Sequence, residues 1–199
     1  MYLNIGVIIL AYFIGSISFS YLFGRITKGI DIRNHGSGNA GATNAYRVLG
    51  KRTALSVLLL DVFKAVSAVW IAQWVSPDSI WVSILAGVAV ICGHNWPIFF
   101  GFRGGKGIAS TIGVMATLCF LPTLCAVLIA IGTILITRYV SLGSLLLTGS
   151  LPLLIGYMGY SKELVICSVF IALLAFYQHR GNIMKIYQGN ENKLFSKKG

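Results

Sequence analysis

Residues 108–137 read IASTIGVMATLCFLPTLCAVLIAIGTILIT, a run of 30 residues that carries no charge. Such a run is typical of membrane-spanning segments, for which about 20 apolar residues suffice. A straight helix of this length would rise about 45 Å, whereas the hydrocarbon core of a bilayer is about 30 Å thick. Pro122 lies near the middle and disfavours an uninterrupted helix. The stretch therefore predicts two short helices that turn near Leu121 and Pro122.

Five further apolar runs lie on either side of this stretch. Together they predict an all-α integral membrane protein in which a single polytopic domain covers residues 1–199. We expect about seven transmembrane helices, several of them short, at 3–24, 53–75, 80–93, 108–121, 122–137, 142–160 and 164–177.

The composition supports this class. Hydrophobic residues make up 56% of the chain and charged residues 11%, well below the roughly 25% of an average soluble domain. Lysine and arginine outnumber the acids by 16 to 5. In a soluble protein this excess would suggest nucleic acid, but here the basic residues flank apolar runs, which favours contact with anionic lipid headgroups. We expect membrane lipids as partners, no nucleic acid, and four cysteines that serve as buried hydrophobic residues.

The basic residues also predict an orientation. If the seven spans alternate across the bilayer, one side carries nearly all the positive charge, and the positive-inside rule makes that side cytoplasmic. It receives Arg25, Lys28, Arg33, Arg47, Lys51, Arg52, Arg103, Lys106, Arg138, Arg180, Lys185, Lys193, Lys197 and Lys198. The opposite side receives only Lys162. The N-terminus is therefore expected outside and the C-terminus in the cytoplasm.

Four polar stretches fall on the expected cytoplasmic side, so they can converge. The first, residues 36–44, reads GSGNAGATN and is followed by Arg47. Its glycines allow positive φ and let successive N–H groups turn towards one anion, such as a phosphate. The GxGxxG match does not indicate a dinucleotide site, because no strand precedes it and Asp61 lies in an apolar span. A flexible linker is the alternative interpretation.

The second stretch reads GHNWP at 93–97 and GFRGGKG at 101–107. It departs from a Walker A loop at Phe100 and Gly107, but it places Lys106 at the expected N-terminus of a helix, where an anion is favoured. Ordinary positive-inside anchoring is the alternative for Lys106. His94 is more typical of a satisfied interfacial histidine than of a ligand.

The third and fourth stretches are RYVSLGS at 138–144 and HRGN at 179–182. The spacing of His179 and Asn182 places both on one helical face. Asp61 and Lys64 are also three residues apart, inside the second span, where charge is costly unless it is paired or faces a polar interior. Pairing is one interpretation of these two residues and a role facing the active site is the other.

Several kinds of catalytic site are missing from the sequence. It contains no paired carboxylates, no His/Cys/Asp metal cluster and no Ser-His-acid set on the expected cytoplasmic side. We therefore expect no metal and no cofactor. A reaction here would depend on positioning and anion stabilisation.

These residues make the sequence resemble the bacterial acyl-phosphate:glycerol-3-phosphate acyltransferases, the PlsY family, over essentially the whole chain. The first motif is the 36–44 stretch with Arg47. The second comprises Gly93, His94, Pro97, Phe99 and the 104–107 stretch, and the third comprises His179, Asn182, Gly189 and Glu191. Gln178 stands where members often carry a basic residue, so no phosphate contact is assigned to it.

The resemblance implies transfer of a fatty acyl group from acyl phosphate to the sn-1 hydroxyl of glycerol 3-phosphate, giving lysophosphatidic acid and phosphate. It implies a multi-pass protein of the bacterial cytoplasmic membrane, with the active site facing the cytoplasm and no obligate protein partner. A phosphate transporter and a lipid-binding scaffold are the competing functions. A transporter would favour polar residues near the midplane and on both faces of the membrane.

The hypothesis that follows assigns three groups of residues. The donor phosphate enters a loop that comprises Ser37, Gly38, Gly41, Thr43 and Asn44. The phosphate of glycerol 3-phosphate pairs with Arg47 and Lys106, helped by Ser144. The glycerol hydroxyl is oriented, and the oxyanion stabilised, by Asn39, His179 and Asn182. The proton acceptor is either neutral His179 or an oxygen of a substrate phosphate.

Overall fold

A computed structural model describes residues 2–194. Lys197 and Lys198, assigned above to the cytoplasmic side, lie outside the described residues. Within that range the chain forms α-helices and two 3₁₀ turns without a β-strand, which confirms the all-α prediction. The helices are α1 Tyr2–Gly15, α2 Phe19–Lys28, α3 Ala42–Leu49, α4 Lys51–Val75, α5 Ile80–Asn95, α6 Ile108–Leu118, α7 Phe120–Thr137, α8 Val140–Tyr157, α9 Lys162–Gln178 and α10 Arg180–Tyr187.

Backbone contacts divide the chain into two compact units, Met1–Leu118 and Cys119–Gly199. The first unit contains α1 to α6 and the second contains α7 to α10. Each unit has its own helix packing and its own polar cluster. The single domain over 1–199 stays a prediction.

In the first unit, α1 packs against α4 and α5, and α4 packs against α5 and α6. Glycines bring α1 and α5 close together: a Cβ atom on Gly15 would collide with the carbonyl of Val90, and one on Gly93 with the carbonyl of Tyr12. Small residues allow this approach, and van der Waals packing is a main source of helix association in lipid. The end of α5, where the second polar stretch begins, is thereby held against α1.

The expected first span, 3–24, consists of two helices. Helix α1 ends at Gly15 and α2 begins at Phe19. The intervening Ile17 carbonyl, which a continuous helix would use internally, instead accepts a hydrogen bond of 2.6 Å from the Lys64 ammonium. The break therefore frees a backbone carbonyl that accepts a hydrogen bond from the buried Lys64 ammonium. The hydropathy pattern alone does not reveal this contact.

In the second unit, α8 packs between α7 and α9, and α10 contacts both α8 and α9. The predicted break in the 108–137 run is present, but it falls at Cys119 rather than at Leu121 and Pro122. Pro122 lies in the first turn of α7, where its missing N–H costs no helical hydrogen bond. A second break separates α9 from α10, which are bent by 62°.

Five helical stretches among residues 2–194 are long and apolar enough to cross a membrane, and the number is six if the bent pair α9 and α10 is counted as one span. Helix α6 is apolar but has 11 residues, a rise of about 16 Å, which is shorter than the hydrocarbon core. The count of seven spans and the orientation of the termini stay predictions.

Candidate functional site

The glycine-rich loop of the first unit is built around a buried amide. Asn44 is 1% exposed, and its Oδ1 accepts a hydrogen bond of 2.8 Å from the Ser37 backbone N–H. Its Nδ2 donates to the carbonyls of Ile32 at 3.2 Å and His35 at 3.0 Å. Asn44 therefore holds the loop from inside, and its expected contact with a substrate phosphate stays a prediction.

Glycine is required at the start of this loop. Gly36 and Gly38 have φ values of 62° and 74°, in the left-handed region that disfavours side chains. A Cβ atom on Gly36 would also collide with the Asn44 amide. The tip at Ser37 and Gly38 is exposed, whereas Gly41 and Thr43, at the start of α3, are half-buried. The loop thus presents its exposed backbone at a fixed tip.

The first and second polar stretches meet at one carbonyl. Gly104 O accepts hydrogen bonds from the Ala40 N–H at 3.2 Å and from Asn39 Nδ2 at 3.4 Å. The Gly104 N–H donates to Asn95 O, and the Gly105 N–H donates to His94 O at 3.0 Å. The predicted convergence of these two stretches is confirmed. Asn39 lies at their junction, half-buried.

A buried charged cluster supports this junction from below. Lys64 Nζ lies 2.8 Å from Asp61 Oδ1, and the side chains are 3% and 1% exposed. His94 Nδ1 lies 3.1 Å from Lys64 Nζ and 3.4 Å from Asp61 Oδ1. The other edge of the imidazole faces Gly105, where a Cβ atom would collide with it. The predicted pairing is confirmed, and His94 is a buried member of the pair's network.

The two basic residues expected to bind phosphate are half-buried. Arg47 lies in α3, and Lys106 lies two residues before α6, so both belong to the first unit. Asn95 is 3% exposed, and its amide atoms have no hydrogen-bond partner within residues 2–194. Its Oδ1 would lie 2.9 Å from a Cβ atom on Gly107, at the start of α6. A polar side chain therefore points at the helix N-terminus beside Lys106, a contribution that motif spacing did not single out.

An ion pair clamps the segment before the loop. The Arg33 guanidinium holds both oxygens of Asp31, at 2.9 and 2.8 Å, and also donates to the Phe100 carbonyl. Tyr21 places its ring 4.9 Å from the Arg33 guanidinium carbon. The hydrogen bonds from the Arg33 side chain lower the pKa of Asp31 to about 2. Sequence reasoning treated Arg33 only as a topology charge and missed this clamp.

In the second unit, the bend between α9 and α10 positions the third motif. His179 occupies the junction, is 3% exposed, and places Nδ1 2.8 Å from the Ala175 carbonyl. Because a carbonyl oxygen only accepts, the neutral imidazole carries its proton on Nδ1 and presents Nε2 as the basic nitrogen. The contact with Ala175 at the end of α9 therefore fixes the tautomer of neutral His179.

Glu191 organises the remaining polar groups of this unit. Its Oε1 accepts hydrogen bonds from Asn182 Nδ2 at 2.8 Å and from Ser141 Oγ at 2.9 Å, so the third and fourth stretches meet here. Ser144 is buried and donates to the Val140 carbonyl at 2.8 Å, within its own helix. The resemblance included Glu191 in the third motif, but the predicted site omitted it. Its contacts come from one hydroxyl donor 50 residues away in the sequence and one amide donor nine residues away.

Comparison with known proteins identifies the family. Residues 5–189 match the family described as glycerol-3-phosphate acyltransferase. The chain belongs to this family. The protein of that name from Halalkalibacterium halodurans is 50% identical over 193 residues, which cover 94% of each chain. The one from Shouchella clausii is 49% identical over 198 residues, or 97% of each chain.

Two solved structures of a family member are similar over their full folds. They show PlsY (YgiH), described as an integral membrane glycerol 3-phosphate acyltransferase, in its glycerol 3-phosphate form and its lysophosphatidic acid form. The first has a TM-score of 0.91 at 38% identity, and the second 0.89 at 37%. Each alignment covers 96% of this chain and 94% of the other. The family resemblance is confirmed, and the chain is an all-α integral membrane protein.

Proposed function

We propose that this protein transfers a fatty acyl group from an acyl phosphate to the sn-1 hydroxyl of glycerol 3-phosphate. The products are lysophosphatidic acid and inorganic phosphate. The reaction takes place at the cytoplasmic face of the bacterial cytoplasmic membrane. The observation that carries the proposal is the junction at the Gly104 carbonyl, where two glycine-rich loops of a glycerol-3-phosphate acyltransferase family member are joined into one backbone-rich surface.

The first unit supplies the anion-binding groups. The exposed hydroxyl of Ser37, at the tip of the glycine loop, offers a donor to the phosphate of the acyl donor, since the Ser37 and Gly38 N–H groups already donate to Asn44 Oδ1 and the His35 carbonyl. Arg47 and Lys106 supply positive charge for the phosphate of glycerol 3-phosphate, Arg47 through a planar fork that suits two phosphate oxygens. Asn39, held on the Gly104 carbonyl, helps to stabilise the developing oxyanion.

The second unit supplies the groups for the acceptor alcohol. The hydroxyl oxygen attacks the acyl carbonyl carbon, the bond from that carbon to the phosphate oxygen breaks, and phosphate leaves. Asn182, oriented by Glu191, positions the hydroxyl. Ser144 becomes an auxiliary donor to the substrate phosphate when its hydroxyl turns away from the Val140 carbonyl. His179 accepts the proton at Nε2, because its Nδ1–H is engaged with Ala175. A general base contributes about 10² to 10⁴ in rate.

The decisive assay uses the purified full chain in lipid vesicles with acyl phosphate and labelled glycerol 3-phosphate. We expect labelled lysophosphatidic acid and free phosphate in equal amounts. Product formed from acyl-CoA alone would contradict the donor, and movement of label into the vesicle lumen without product would indicate a transporter. Binding of both substrates with no product would indicate a scaffold.

Variants then test the assigned roles. Arg47→Ala and Lys106→Ala should lose far more kcat/KM for glycerol 3-phosphate than Lys51→Ala, an exposed control on α4. Equal losses in all three variants would mean that Arg47 and Lys106 act only through the general positive charge of the surface and not through specific contacts with the substrate phosphate. His179→Gln should lose about 10² or more in kcat. A Gln variant that keeps most of the activity would assign the proton to a substrate phosphate oxygen.

A further inference from the structure

An apolar groove in the second unit begins where its polar network ends. The groove has a volume of about 450 Å³. Along α8 it runs from Leu142 through Leu146 to Gly149, positions that share one helical face and span about 10 Å. Phe176 of α9 and two residues of α10 complete it. All its lining side chains are apolar, except at Gly149, where there is none.

One end of the groove lies beside the Glu191 network. Ser141 and Asn182 both donate to Glu191, and the next residue of each helix, Leu142 and Ile183, lines the groove. A ligand whose reacting end lies at this polar network can therefore extend an apolar chain along α8. A fatty acyl chain has this form, and a solved structure 37% identical to this chain is described as the lysophosphatidic acid form.

The inner end of the groove, farthest along α8 from Ser141, lies between Gly149 and Phe176. A Cβ atom on Gly149 would lie 3.7 and 3.8 Å from two carbons of the Phe176 ring, an ordinary van der Waals distance. An alanine therefore fits at this position, whereas a longer side chain would extend into the groove. Gly149 thus leaves open the space that the end of a chain would need.

We infer that this groove binds the acyl chain of the donor and that Gly149, opposite Phe176, determines how long a chain is accepted. The inference rests on the proposed function, since it assigns the chain of that same substrate. A chain that moves from the bilayer into the groove exchanges one apolar environment for another, so steric fit at the inner end decides the length. Water exclusion contributes little to the choice.

The first test compares the length profile of the donor among variants. Vesicle-bound protein is supplied with acyl phosphates from octanoyl to stearoyl, and kcat/KM for each is divided by the value for octanoyl phosphate. Gly149→Leu should lower the palmitoyl ratio by about tenfold or more, because the side chain overpacks the inner end. Adding Phe176→Ala should restore much of that ratio, since it reopens the space.

Gly156→Leu is the matched control. Gly156 also lies in α8, and a Cβ atom there meets nothing within 4 Å. Its profile should equal that of the unchanged protein. Identical profiles in Gly149→Leu and Gly156→Leu would overturn the inference. If Gly149→Leu fails to fold, Phe176→Ala alone decides, with an increased stearoyl ratio expected and an unchanged ratio contradicting the inference.

A second readout does not depend on catalysis. A lysophosphatidic acid with a photoreactive diazirine at the chain end should label Leu146 or Phe176, and Gly149→Leu should reduce that labelling several-fold. Labelling of the groove in a protein without acyltransferase activity would uphold the groove and reject the proposed function. Equal labelling by a diazirine phosphatidylcholine, unaffected by Gly149→Leu, would show that the groove only contacts bilayer lipid and would overturn the inference.

Discussion

The two units hold their polar groups by different means. In the first unit the polar stretches are joined through backbone groups: two glycine loops meet at the Gly104 carbonyl. The buried Asp61 and Lys64 pair packs against the second loop through His94. In the second unit the polar groups are joined through side chains, because the Glu191 carboxylate accepts hydrogen bonds from Ser141 and Asn182. The first arrangement is therefore expected to be disrupted by adding a Cβ atom at a glycine, and the second by removing the shared acceptor, Glu191.

The largest expected effect tests the buried support of the first unit. Lys64→Met leaves the Asp61 carboxylate without its closest partner and should lower the free energy of unfolding by about 3–5 kcal/mol. Unfolding in mixed detergent micelles measures the change, and Lys51→Met, exposed on the same helix, serves as the control. The double variant Asp61→Leu with Lys64→Met should recover much of the loss. If Lys64→Met were as stable as Lys51→Met, the pair of Asp61 and Lys64 would not contribute to the stability of the fold.

The next effect tests the side-chain logic of the second unit. Glu191→Ala removes the acceptor shared by Ser141 and Asn182 and should cost about 1.5–3 kcal/mol of unfolding free energy together with most of kcat. Glu191→Gln keeps an oxygen acceptor and should lose less of both. Glu163→Gln, at the acid in the first turn of α9 in the same unit, controls for removed charge. Equal damage from Gln and Ala would mean that the charge of Glu191 matters more than its geometry.

A third experiment tests the backbone logic of the first unit. Gly105→Ala places a Cβ atom into the His94 imidazole and should cost about 1–3 kcal/mol through overpacking. KM for glycerol 3-phosphate should increase, because the displaced turn carries Lys106. In Gly6→Ala, on α1, the added atom meets nothing within 4 Å, so stability and KM should both stay unchanged. An unaltered KM in Gly105→Ala would separate the turn from substrate binding.

The smallest effect concerns the clamp before the loop. The pKa of Asp31 is lowered from 3.8 to about 2, so the ion pair with Arg33 stabilises the fold at pH values above 3.8 and loses that contribution as pH falls towards 2. Because the pair lies near the surface, we expect Asp31→Asn to cost about 1 kcal/mol or less at neutral pH. Unfolding of both proteins at several pH values should show the difference vanish near pH 2. A difference independent of pH would exclude the ionised carboxylate as its cause.

Much of this architecture was predictable from the sequence because apolar runs and charges are local properties. The break in the 108–137 run was predicted from its length and Pro122, and it was misplaced by about two residues because proline is tolerated in a first helical turn. The break at Ile17 was missed. The hydrogen bond that the Ile17 carbonyl accepts there comes from Lys64, which is 47 residues away in the chain.

The same division holds in the candidate site. Motif spacing indicated the loops and the side chains of Arg47, Lys106, His179 and Asn182. It also indicated phosphate binding, because glycine-rich loops and nearby basic residues are typical of anion sites in many folds. The role of Asn44 inside its loop, the Gly104 junction and the Glu191 acceptor were decided only by the tertiary structure. The Gly104 junction and the Ser141 contact of Glu191 join groups 65 and 50 residues apart, so these hydrogen bonds exist only after the helices have packed. The Asn44 contacts are closer in sequence, but they depend on a loop conformation that motif spacing does not specify.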